Sequence, residues 1–451
     1  MARADPTDLF GPVNAERPRF SSRLGTLFAF IGVAVGLGNV WRFPYMASAF
    51  GGGAFLVVYV VILLAFGVPA LLAELALGRM TGRGPVGAFS RAGVPGGRWI
   101  GGVLFFGVLM AVSYYTVVVG WVLRYFLASV NGGIARVAPD EFFQSMLGGF
   151  GGQIVMTAAV IALVGLVLAL GIRKGVERVS AVGMPLLFLL LLVLIARSLT
   201  LPGAGAGLRY YLWPDFSRMT PGVVAAALGQ VFFSLSLGGT YLLTYASYLP
   251  AETDLKRTAL GVGLGDLSAA VFAGFVIVPA AVAFDLGLDS GPPLTFITVP
   301  RIFSHIPAGA LFASLFFGLL FFAAFLSDVA AFEVLVAGAV DGLGWSRRRA
   351  VPLFCVAALV LGLVPMRSLD YIVSSDLLWG STLQPLGSAV TLLALGWVVG
   401  LGRALEEANR GRHGPPIGRL WFYWVKYVVP LGVAVILVLG LRDAFRALLG
   451  S

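Results

Sequence analysis

The stretch "GVAVGLGNVWRFPY", residues 32–45, decides how this chain folds. It lies within an apolar run, residues 24–48, that is long enough to cross a bilayer, since a spanning helix needs about 20 residues. The stretch nevertheless contains three glycines, an asparagine, an arginine and a proline. Backbone groups that such a break frees inside the hydrocarbon region must find partners in protein or water. The sequence therefore predicts a membrane helix that is interrupted beside a polar site.

The composition of the whole chain is that of a protein that crosses a membrane many times. Of its 451 residues, 59% are hydrophobic and 12% are charged, and the mean hydropathy is +0.94. Soluble domains carry about 25% charged residues. Residues 1–20 are polar and lack the apolar region of a cleavable signal peptide. We expect eleven spans, at residues 24–48, 54–78, 101–129, 153–172, 179–200, 222–248, 259–287, 310–340, 350–366, 373–401 and 419–441.

The net charge of +10 follows the expected membrane topology. With the N-terminus in the cytoplasm, most of the 31 Lys and Arg residues fall in inner loops, including the segments 79–98, 173–178 and 347–349. This asymmetry obeys the positive-inside rule, so the basic balance does not indicate nucleic-acid binding. We predict a multi-pass protein of the cell (plasma) membrane with a cytoplasmic N-terminus and an external C-terminus. The single cysteine, Cys355, lies in an apolar run and excludes a disulfide framework.

A second interrupted span, "GQVFFSLSLGGTYLLTYASY", covers residues 229–248. The first and sixth spans would be equivalent members of a five-plus-five repeat, and two Gly-interrupted segments at matching positions predict a transporter site at the bilayer midplane. Unwound carbonyls there can coordinate a cation, and N–H groups at the positive end of a half-helix attract a carboxylate. The alternative is that these glycines only allow close helix packing.

Several long motifs carry a family resemblance. They are "RLGTLFAFIGVAVGLGNVWRFPYMASAFGGGAFLVVY" (23–59), "VPALLAELALGR" (68–79), "IRKGVERVSAVGMP" (172–185), "LGQVFFSLSLG" (228–238), "TYASYL" (244–249) and "LEEANRG" (405–411). Over nearly the whole chain these residues resemble the neurotransmitter:sodium symporter family, particularly its bacterial amino-acid transporters. The resemblance implies an all-α polytopic membrane protein with the LeuT-type 5+5 inverted-repeat fold and 11 transmembrane helices, of which helices 1 and 6 are unwound at mid-membrane. Its divisions would be a cytoplasmic tail at 1–23, a first repeat at 24–200, a second repeat at 201–402, and an inner loop with the last span at 403–451.

The resemblance also implies Na⁺ sites and no organic cofactor. The first site would be formed by the Ala34 carbonyl and the side chains of Asn39, Ser234 and Asp266. Counting back from Pro279 gives Gly265 as the seventh-span ligand, and a shift of one residue gives Asp266. An ionisable group within a span is a functional hypothesis by default, and the alternative for Asp266 is helix packing. A charged Asp266 beside the first sodium would make a chloride site unnecessary.

The second sodium site departs from the family pattern. It would use the carbonyls of Gly32, Val35 and Ala323 together with the Ser327 side chain. The family ligand immediately before that serine is Leu326 here, and leucine offers no oxygen. Asp328 follows, but one helical step rotates a side chain by about 100°. Asp328 could become a ligand after rearrangement, act as a proton site, or pair with another span. The sequence is therefore compatible with either one or two sodium ions per substrate.

The implied substrate pocket joins the first, third, sixth and eighth spans. Its residues would be Ala34, Gly36, Leu37, Gly38, Ala111, Tyr115, Phe233, Ser234, Ser236, Gly239, Ser327 and Ala331. Tyr115 matches the tyrosine whose hydroxyl contacts the substrate carboxylate, and Gly36 leaves room for that carboxylate where amine transporters carry an aspartate. Small residues at 111, 239 and 331 indicate a large hydrophobic or aromatic substrate, although Thr240 could refill part of the space.

Gates are expected on both sides of the pocket. The outer pair would be Arg42 and Asp376, with Asp370 as the alternative acid, and the cytoplasmic pair would be Arg17 and Asp341, beside Phe20 and Tyr248. Each arginine could instead be an interface anchor whose charge reaches the headgroups. Glu74 is expected to hold unwound backbone, and Gln230 to order the outer vestibule with Arg42.

The sequence therefore favours a sodium-coupled importer of a neutral amino acid, with that amino acid and the lipid bilayer as its partners. Two alternatives stay open: a non-transporting sensor on the same fold, and partial coupling to protons through Asp266 or Asp328. An enzyme is disfavoured, because the only histidines, His305 and His413, lie in loops on opposite sides. No Ser/His/Asp arrangement, HExxH motif or phosphate-binding loop is present in the sequence.

Overall fold

The computed structural model describes residues 18–287 and 293–449. Arg17, the expected cytoplasmic gate residue, lies outside the described residues. In those two ranges the only β pairing is an isolated bridge between Gly52 and Pro214. Nine described helices are long and apolar enough to cross a membrane: Gly53–Thr81, Gly97–Val130, Phe150–Ala169, Ile172–Leu199, Leu255–Ala283, Gly309–Leu343, Arg347–Arg367, Leu369–Val399 and Arg419–Leu439.

The two remaining predicted spans are both broken. The first consists of Arg23–Ala34 and Gly38–Ala49, which are bent by 59° relative to each other. The sixth consists of Pro221–Ser234 and Tyr241–Ala246, separated by residues 235–240. Each span expected from the sequence therefore corresponds to one helix or to one broken pair, and the two breaks fall where the glycines predict them.

Shorter helices connect the spans. They are Pro85–Arg91, Pro139–Gly148, Ala204–Leu212, Leu294–Ser304 and Leu401–Asn409. The last of them lies in the chain between the tenth and eleventh spans and is held against the second span by a buried ion pair. The Arg79 Nε atom lies 2.5 Å from Glu407 Oε1, and Arg79 also donates to the Thr253 carbonyl at 2.6 Å. This contact links two of the sequence motifs, because it joins the last residue of "VPALLAELALGR" to the third residue of "LEEANRG".

The first break has a local cause. The helix Arg23–Ala34 begins after Ser22, whose side chain caps it by accepting a hydrogen bond from the Gly25 N–H at 2.9 Å. It ends at Val35, which is extended, and the chain becomes helical again with a π-helical turn at Gly38–Arg42. Such turns are frequent at functional sites, because they interrupt the regular pairing of backbone groups.

The sixth break depends on backbone conformations that few residues adopt. Ser236, Gly238 and Thr240 have φ angles of 52°, 85° and 61°. The Gly238 N–H donates to Glu74 Oε1 at 2.6 Å, so Glu74 holds unwound backbone as the sequence predicts. A Cβ atom at Gly238 would overlap the backbone carbonyl of Gln384 in the tenth span. This close approach fixes the unwound segment between the second and tenth spans.

We expect Gly238→Ala to destabilise the unwound segment by about 2–4 kcal/mol, because it adds positive-φ strain to a steric overlap. Thermal unfolding of the purified protein, followed with and without substrate, measures this. Gly229→Ala is the matched control: it lies in the helical half of the same span and a Cβ there meets no atom within 4 Å. Equal stability of the two variants would contradict the role assigned to Gly238.

Candidate functional site

A cavity of about 440 Å³ lies between the two broken spans and the third, eighth and tenth spans. Eleven of the twelve residues expected in the substrate pocket line it: Ala34, Gly36, Leu37, Gly38, Ala111, Tyr115, Phe233, Ser234, Ser236, Ser327 and Ala331. The unwound backbone and the polar side chains near it therefore face one common space. A cavity of this size, with mostly apolar walls and a few convergent polar groups, is typical of a small-molecule site.

Gly239, the twelfth residue, does not line the cavity. A Cβ at Gly239 would overlap the ring of Tyr241, which fills the space beside it. Tyr241 itself lines the cavity, whereas the Thr240 hydroxyl is buried without a hydrogen-bond partner among the described residues. The expectation that Gly239 enlarges the pocket is therefore wrong, because the next aromatic residue along the chain occupies that volume.

Gly36 lies beside two hydroxyl groups that belong to residues lining the cavity. A Cβ at Gly36 would lie 2.8 Å from the Ser327 Oγ atom and 3.2 Å from the Tyr115 Oη atom. Glycine at this position therefore keeps open a small space that is bordered by the Tyr115 and Ser327 hydroxyls and by the start of the helical half Gly38–Ala49. Donors and the positive end of a helix suit a carboxylate.

Three of the side chains expected at the first sodium site form one buried cluster. The Asn39 Nδ2 atom donates to Asp266 Oδ1 at 2.6 Å and to Ser234 Oγ at 3.0 Å. The Ser234 hydroxyl donates to Asp266 Oδ1 at 2.8 Å. The Asn39 Oδ1 atom accepts from the Gly36 N–H at 2.9 Å, which ties the cluster to the space beside Gly36. The fourth expected ligand, Ala34, lines the cavity.

The position of Asp266 favours it over Gly265 as the seventh-span member of this cluster. Asp266 is fully buried, and Tyr59 Oη lies 3.5 Å from its Oδ2 atom. Gly265 instead faces the Ile31 side chain. Among the described residues, no Lys, Arg or His comes within 4 Å of the Asp266 carboxylate, as an ion pair would require. The buried carboxylate and the Ser234 hydroxyl supply oxygens of the kind that a hard cation such as Na⁺ takes, and a cation would compensate the buried charge; the Asn39 oxygen accepts from the Gly36 N–H instead.

The eighth span brings Ser327 to the carbonyls of the first break. The Ser327 hydroxyl donates to the Val35 carbonyl at 3.0 Å and lies 3.3 Å from the Gly32 carbonyl oxygen. The Val33 carbonyl, which the sequence did not predict, lies at 3.4 Å from the same hydroxyl. Ala323 is buried on the same helix, about one turn earlier. Three of the four expected second-site residues therefore meet directly.

Leu326 and Asp328 turn to other neighbours. The Leu326 Cδ1 atom lies 3.2 Å from a Cβ built on Gly32 and 3.4 Å from one built on Gly183, so its side chain packs between the first and fifth spans. The Asp328 Oδ1 atom lies 3.0 Å from the Thr116 hydroxyl of the third span. The Asp328 Oδ2 atom is buried without a partner in the described part of the chain. Asp328 thus joins the third span rather than the carbonyls around Ser327.

The expected outer gate residues line the cavity without pairing. The Arg42 guanidinium lies 4.3 Å from the centre of the Phe233 ring, and the Tyr114 hydroxyl donates to Asp376 Oδ1 at 3.0 Å. Within the described ranges, Arg42 and Asp376 form no ion pair within 4 Å. Asp370 is exposed and does not line the cavity, which favours Asp376 as the acid.

The Gln230 expectation is not met. Its amide is buried, and neither its nitrogen nor its oxygen has a hydrogen-bond partner among the residues that the structure describes. Among the described residues Gln230 therefore forms no hydrogen bond with Arg42, whose guanidinium packs on the Phe233 ring.

Aromatic side chains pack together where the N-terminal segment meets the first and sixth spans. Phe20 is buried against Phe30, Tyr245 and Tyr248, with ring centres 5.8, 5.9 and 6.5 Å apart. Asp341 accepts a hydrogen bond from the Gly84 N–H at 2.6 Å; its expected partner, Arg17, is not described.

A buried acidic residue, Glu333 of the eighth span, joins this span to the ninth span and to the end of the sixth. Arg347 donates to its two carboxylate oxygens at 2.9 and 2.5 Å, and the Tyr248 hydroxyl donates to it at 2.7 Å. The sequence shows Glu333 as an intramembrane carboxylate but gives no spacing signal for its partners, because Arg347 follows a turn at the start of the ninth span.

Sequence reasoning missed a contact between the N-terminal segment and the fifth span. The buried Glu177 carboxylate accepts from the backbone N–H of Ser21 at 2.9 Å and from that of Ser22 at 2.8 Å. The Ser21 hydroxyl lies 3.0 Å from both carboxylate oxygens. One acidic residue inside the basic motif "IRKGVER" was the available signal. The contact holds the start of the first helix against the fifth span.

Comparisons with known proteins identify the family and the fold. The profile of the sodium:neurotransmitter symporter family matches residues 17–146 and 141–447. An uncharacterized sodium-dependent transporter of Haemophilus influenzae is 33% identical over 94% of this chain and 98% of its own length. One of Bacillus subtilis is 32% identical over 93% of this chain and 96% of its own length. The crystal structure of MhsT in complex with L-phenylalanine superimposes with a TM-score of 0.84 and 34% identity, covering 94% of this chain and 99% of that chain.

We expect Glu177→Ala to lower the local stability of the helix Arg23–Ala34 and of the residues just before it. Hydrogen bonds to a charged group contribute about 1.5–3 kcal/mol each, so losing them should raise amide exchange across residues 20–34 by about tenfold or more. Hydrogen–deuterium exchange with peptide-level readout measures this. Glu141→Ala, at an exposed position of the outer helix Pro139–Gly148, is the control. Unchanged protection in Glu177→Ala would show that other packing holds the segment.

Proposed function

Because the chain belongs to the sodium:neurotransmitter symporter family, and is thus a multi-pass sodium-dependent transporter with the LeuT fold and not an enzyme, we propose that it imports a neutral L-amino acid with a hydrophobic or aromatic side chain. Import would be coupled to Na⁺ and would proceed by alternating access. The relative MhsT, whose structure holds L-phenylalanine, supports this substrate class.

The observation that carries the proposal is the link between the Asp266 cluster and the space beside Gly36. Asn39 touches both, since its Nδ2 atom donates to Asp266 and its Oδ1 atom accepts from the Gly36 N–H. A sodium ion held by the cluster and a substrate carboxylate beside Gly36 would therefore be near neighbours. Opposite charges attract strongly in a buried site, so each ligand would favour binding of the other.

The amino group of the substrate would face the serines of the sixth and eighth spans. Ser236 and Ser327 both line the cavity, and their hydroxyls lie 3.4 Å from the Val33 carbonyl. These unwound carbonyls and hydroxyls accept hydrogen bonds from an ammonium group. Phe233, with Arg42 over its ring, would close the cavity toward the outer side.

The proposed orientation places the Phe20 side in the cytoplasm and the Arg42 side outside. Basic residues support it, since Arg79, Arg83, Arg173 and Arg347 all lie near the Phe20 end of the spans. Cytoplasmic loops are rich in Lys and Arg. The division into repeats at 24–200 and 201–402 is part of the same proposal.

Uptake by the purified protein in liposomes tests the function. We expect an inward Na⁺ gradient, and not a K⁺ gradient, to drive saturable uptake of labelled hydrophobic or aromatic L-amino acids. A pH gradient applied alone distinguishes proton coupling. Uptake that is unaffected by removal of Na⁺ would contradict symport, and binding without uptake of any amino acid would identify a sensor.

We further propose that one sodium ion is coupled, through the Asp266 cluster, because Leu326 brings apolar packing instead of an oxygen to the second site. Leu326→Thr should create the missing ligand and lower the half-saturating Na⁺ concentration or raise the Hill coefficient of uptake. Leu326→Val is the matched control, since valine has nearly the same shape as threonine but no hydroxyl. Equal sodium responses of the two variants would contradict this account.

A further inference from the structure

The substrate cavity has a polar pair on the wall formed by the sixth and tenth spans. The Gln384 Nε2 atom donates to the Tyr241 hydroxyl at 3.3 Å, and both residues line the cavity. The carboxylate space beside Gly36 belongs to the first, third and eighth spans instead. The pair is therefore formed by residues other than those that border the space beside Gly36.

The position of Tyr241 is set by the backbone around it. Gly239 has no side chain, and the Tyr241 ring occupies the volume that one would need. One residue earlier in the same break, the backbone of Gly238 packs directly against the carbonyl of Gln384. These two close contacts bring the unwound segment and the tenth span together, so the phenol ring and the Gln384 amide are held at the same wall.

The hydrogen bonds of this pair are incomplete. The Tyr241 oxygen accepts from Gln384, but its own O–H has no acceptor among the described residues. The side-chain oxygen of Gln384 likewise has no donor within the ranges 18–287 and 293–449. The pair thus offers one donor and one acceptor. A phenol needs both, since its hydroxyl donates once and accepts as well.

The cavity of about 440 Å³ has room for an aromatic ring, and much of its remaining wall is small or apolar. Ala111 and Ala331 have small side chains, and Val112 and Val118 add apolar surface. An apolar ring end placed against Tyr241 would remove water from its O–H without replacing the hydrogen bond. Sites built to hydrogen-bond a substrate group reject analogues that lack it, because their own polar groups are then left unpaired.

We propose that Tyr241 and Gln384 recognise the side-chain hydroxyl of the substrate, and that the preferred substrate is an L-amino acid with a phenol side chain, for which L-tyrosine is the probe. This inference rests on the proposed amino-acid transport. Tyr241 and Gln384 are specificity-determining residues in it, whereas the carboxylate and amino group of the substrate are assigned to other residues, beside Gly36 and at Ser236 and Ser327.

Competition between L-tyrosine and L-phenylalanine for Na⁺-driven uptake tests the proposal. We expect the wild-type protein to favour tyrosine by about tenfold or more, and Tyr241→Phe to reduce this preference to about twofold or less by raising the KM for tyrosine. The KM for phenylalanine should stay within about twofold. Gln384→Met should shift the preference in the same direction. Tyr371→Phe is the matched control, because Tyr371 lies in the described outer segment of the tenth span but does not line the cavity.

The outcomes separate this inference from the function on which it rests. If the wild-type protein shows Na⁺-driven uptake but takes up tyrosine and phenylalanine equally well, the inference is overturned and the proposed function is not. This outcome is measured on the wild-type protein alone, so it does not depend on whether a variant folds. A wild-type preference for tyrosine that Tyr241→Phe leaves unchanged would also overturn the inference. Absence of saturable uptake of any amino acid would overturn the proposed function instead.

Discussion

A helix that breaks inside a bilayer must satisfy each backbone group that it frees, and this requirement organises the whole centre of the molecule. The first break is satisfied by Asn39, which accepts from the Gly36 N–H, and by Ser327, which donates to the Val35 carbonyl. The sixth break is satisfied by Glu74, which accepts from the Gly238 N–H. Except for Glu74, these are the groups assigned to ligands. The residues that satisfy the backbone groups of the first break are therefore the same residues that form the proposed site.

Electrostatics divides the buried acidic residues into two kinds. Glu333 and Glu407 are paired with Arg347 and Arg79, so their charges are balanced within the protein. Asp266 has only neutral hydrogen-bond donors around it in the described structure. The paired acids join helices. Glu74 and Asp328 also lack a basic partner among the described residues, but Glu74 holds the Gly238 N–H and Asp328 contacts Thr116, which leaves Asp266 as the acid that is clustered with the other residues expected at the first sodium site.

The fold and much of the site could be predicted from the sequence because local signals carry them. Glycines mark both breaks, and Asn39 and Ser234 lie within a few residues of them. Gly265 and Asp266, the two candidates for the seventh-span ligand, are adjacent in the sequence. The structure favours Asp266, because Asp266 accepts a hydrogen bond from Asn39 whereas Gly265 faces Ile31.

The errors concern side-chain directions and distant contacts. Gly239 does not enlarge the cavity, because positive-φ residues on either side turn the chain and direct the Tyr241 ring into that volume. Arg42 packs on the Phe233 ring, and the Gln230 amide has no hydrogen-bond partner among the described residues. Glu177 meets Ser21 across 156 residues, a separation over which no periodicity carries information.

The packing of Leu326 has a consequence for how far a gradient could be built. Each coupled cation contributes about 1.4 kcal/mol per tenfold concentration difference and about 2.3 kcal/mol per 100 mV of membrane potential. A carrier that moves one sodium per substrate can concentrate that substrate in proportion to the sodium gradient, whereas two ions would give the square of it. If one sodium ion is coupled, as proposed, the apolar Leu326 side chain between the first and fifth spans would limit how far the substrate can be concentrated, and each substrate molecule would use one sodium ion instead of two.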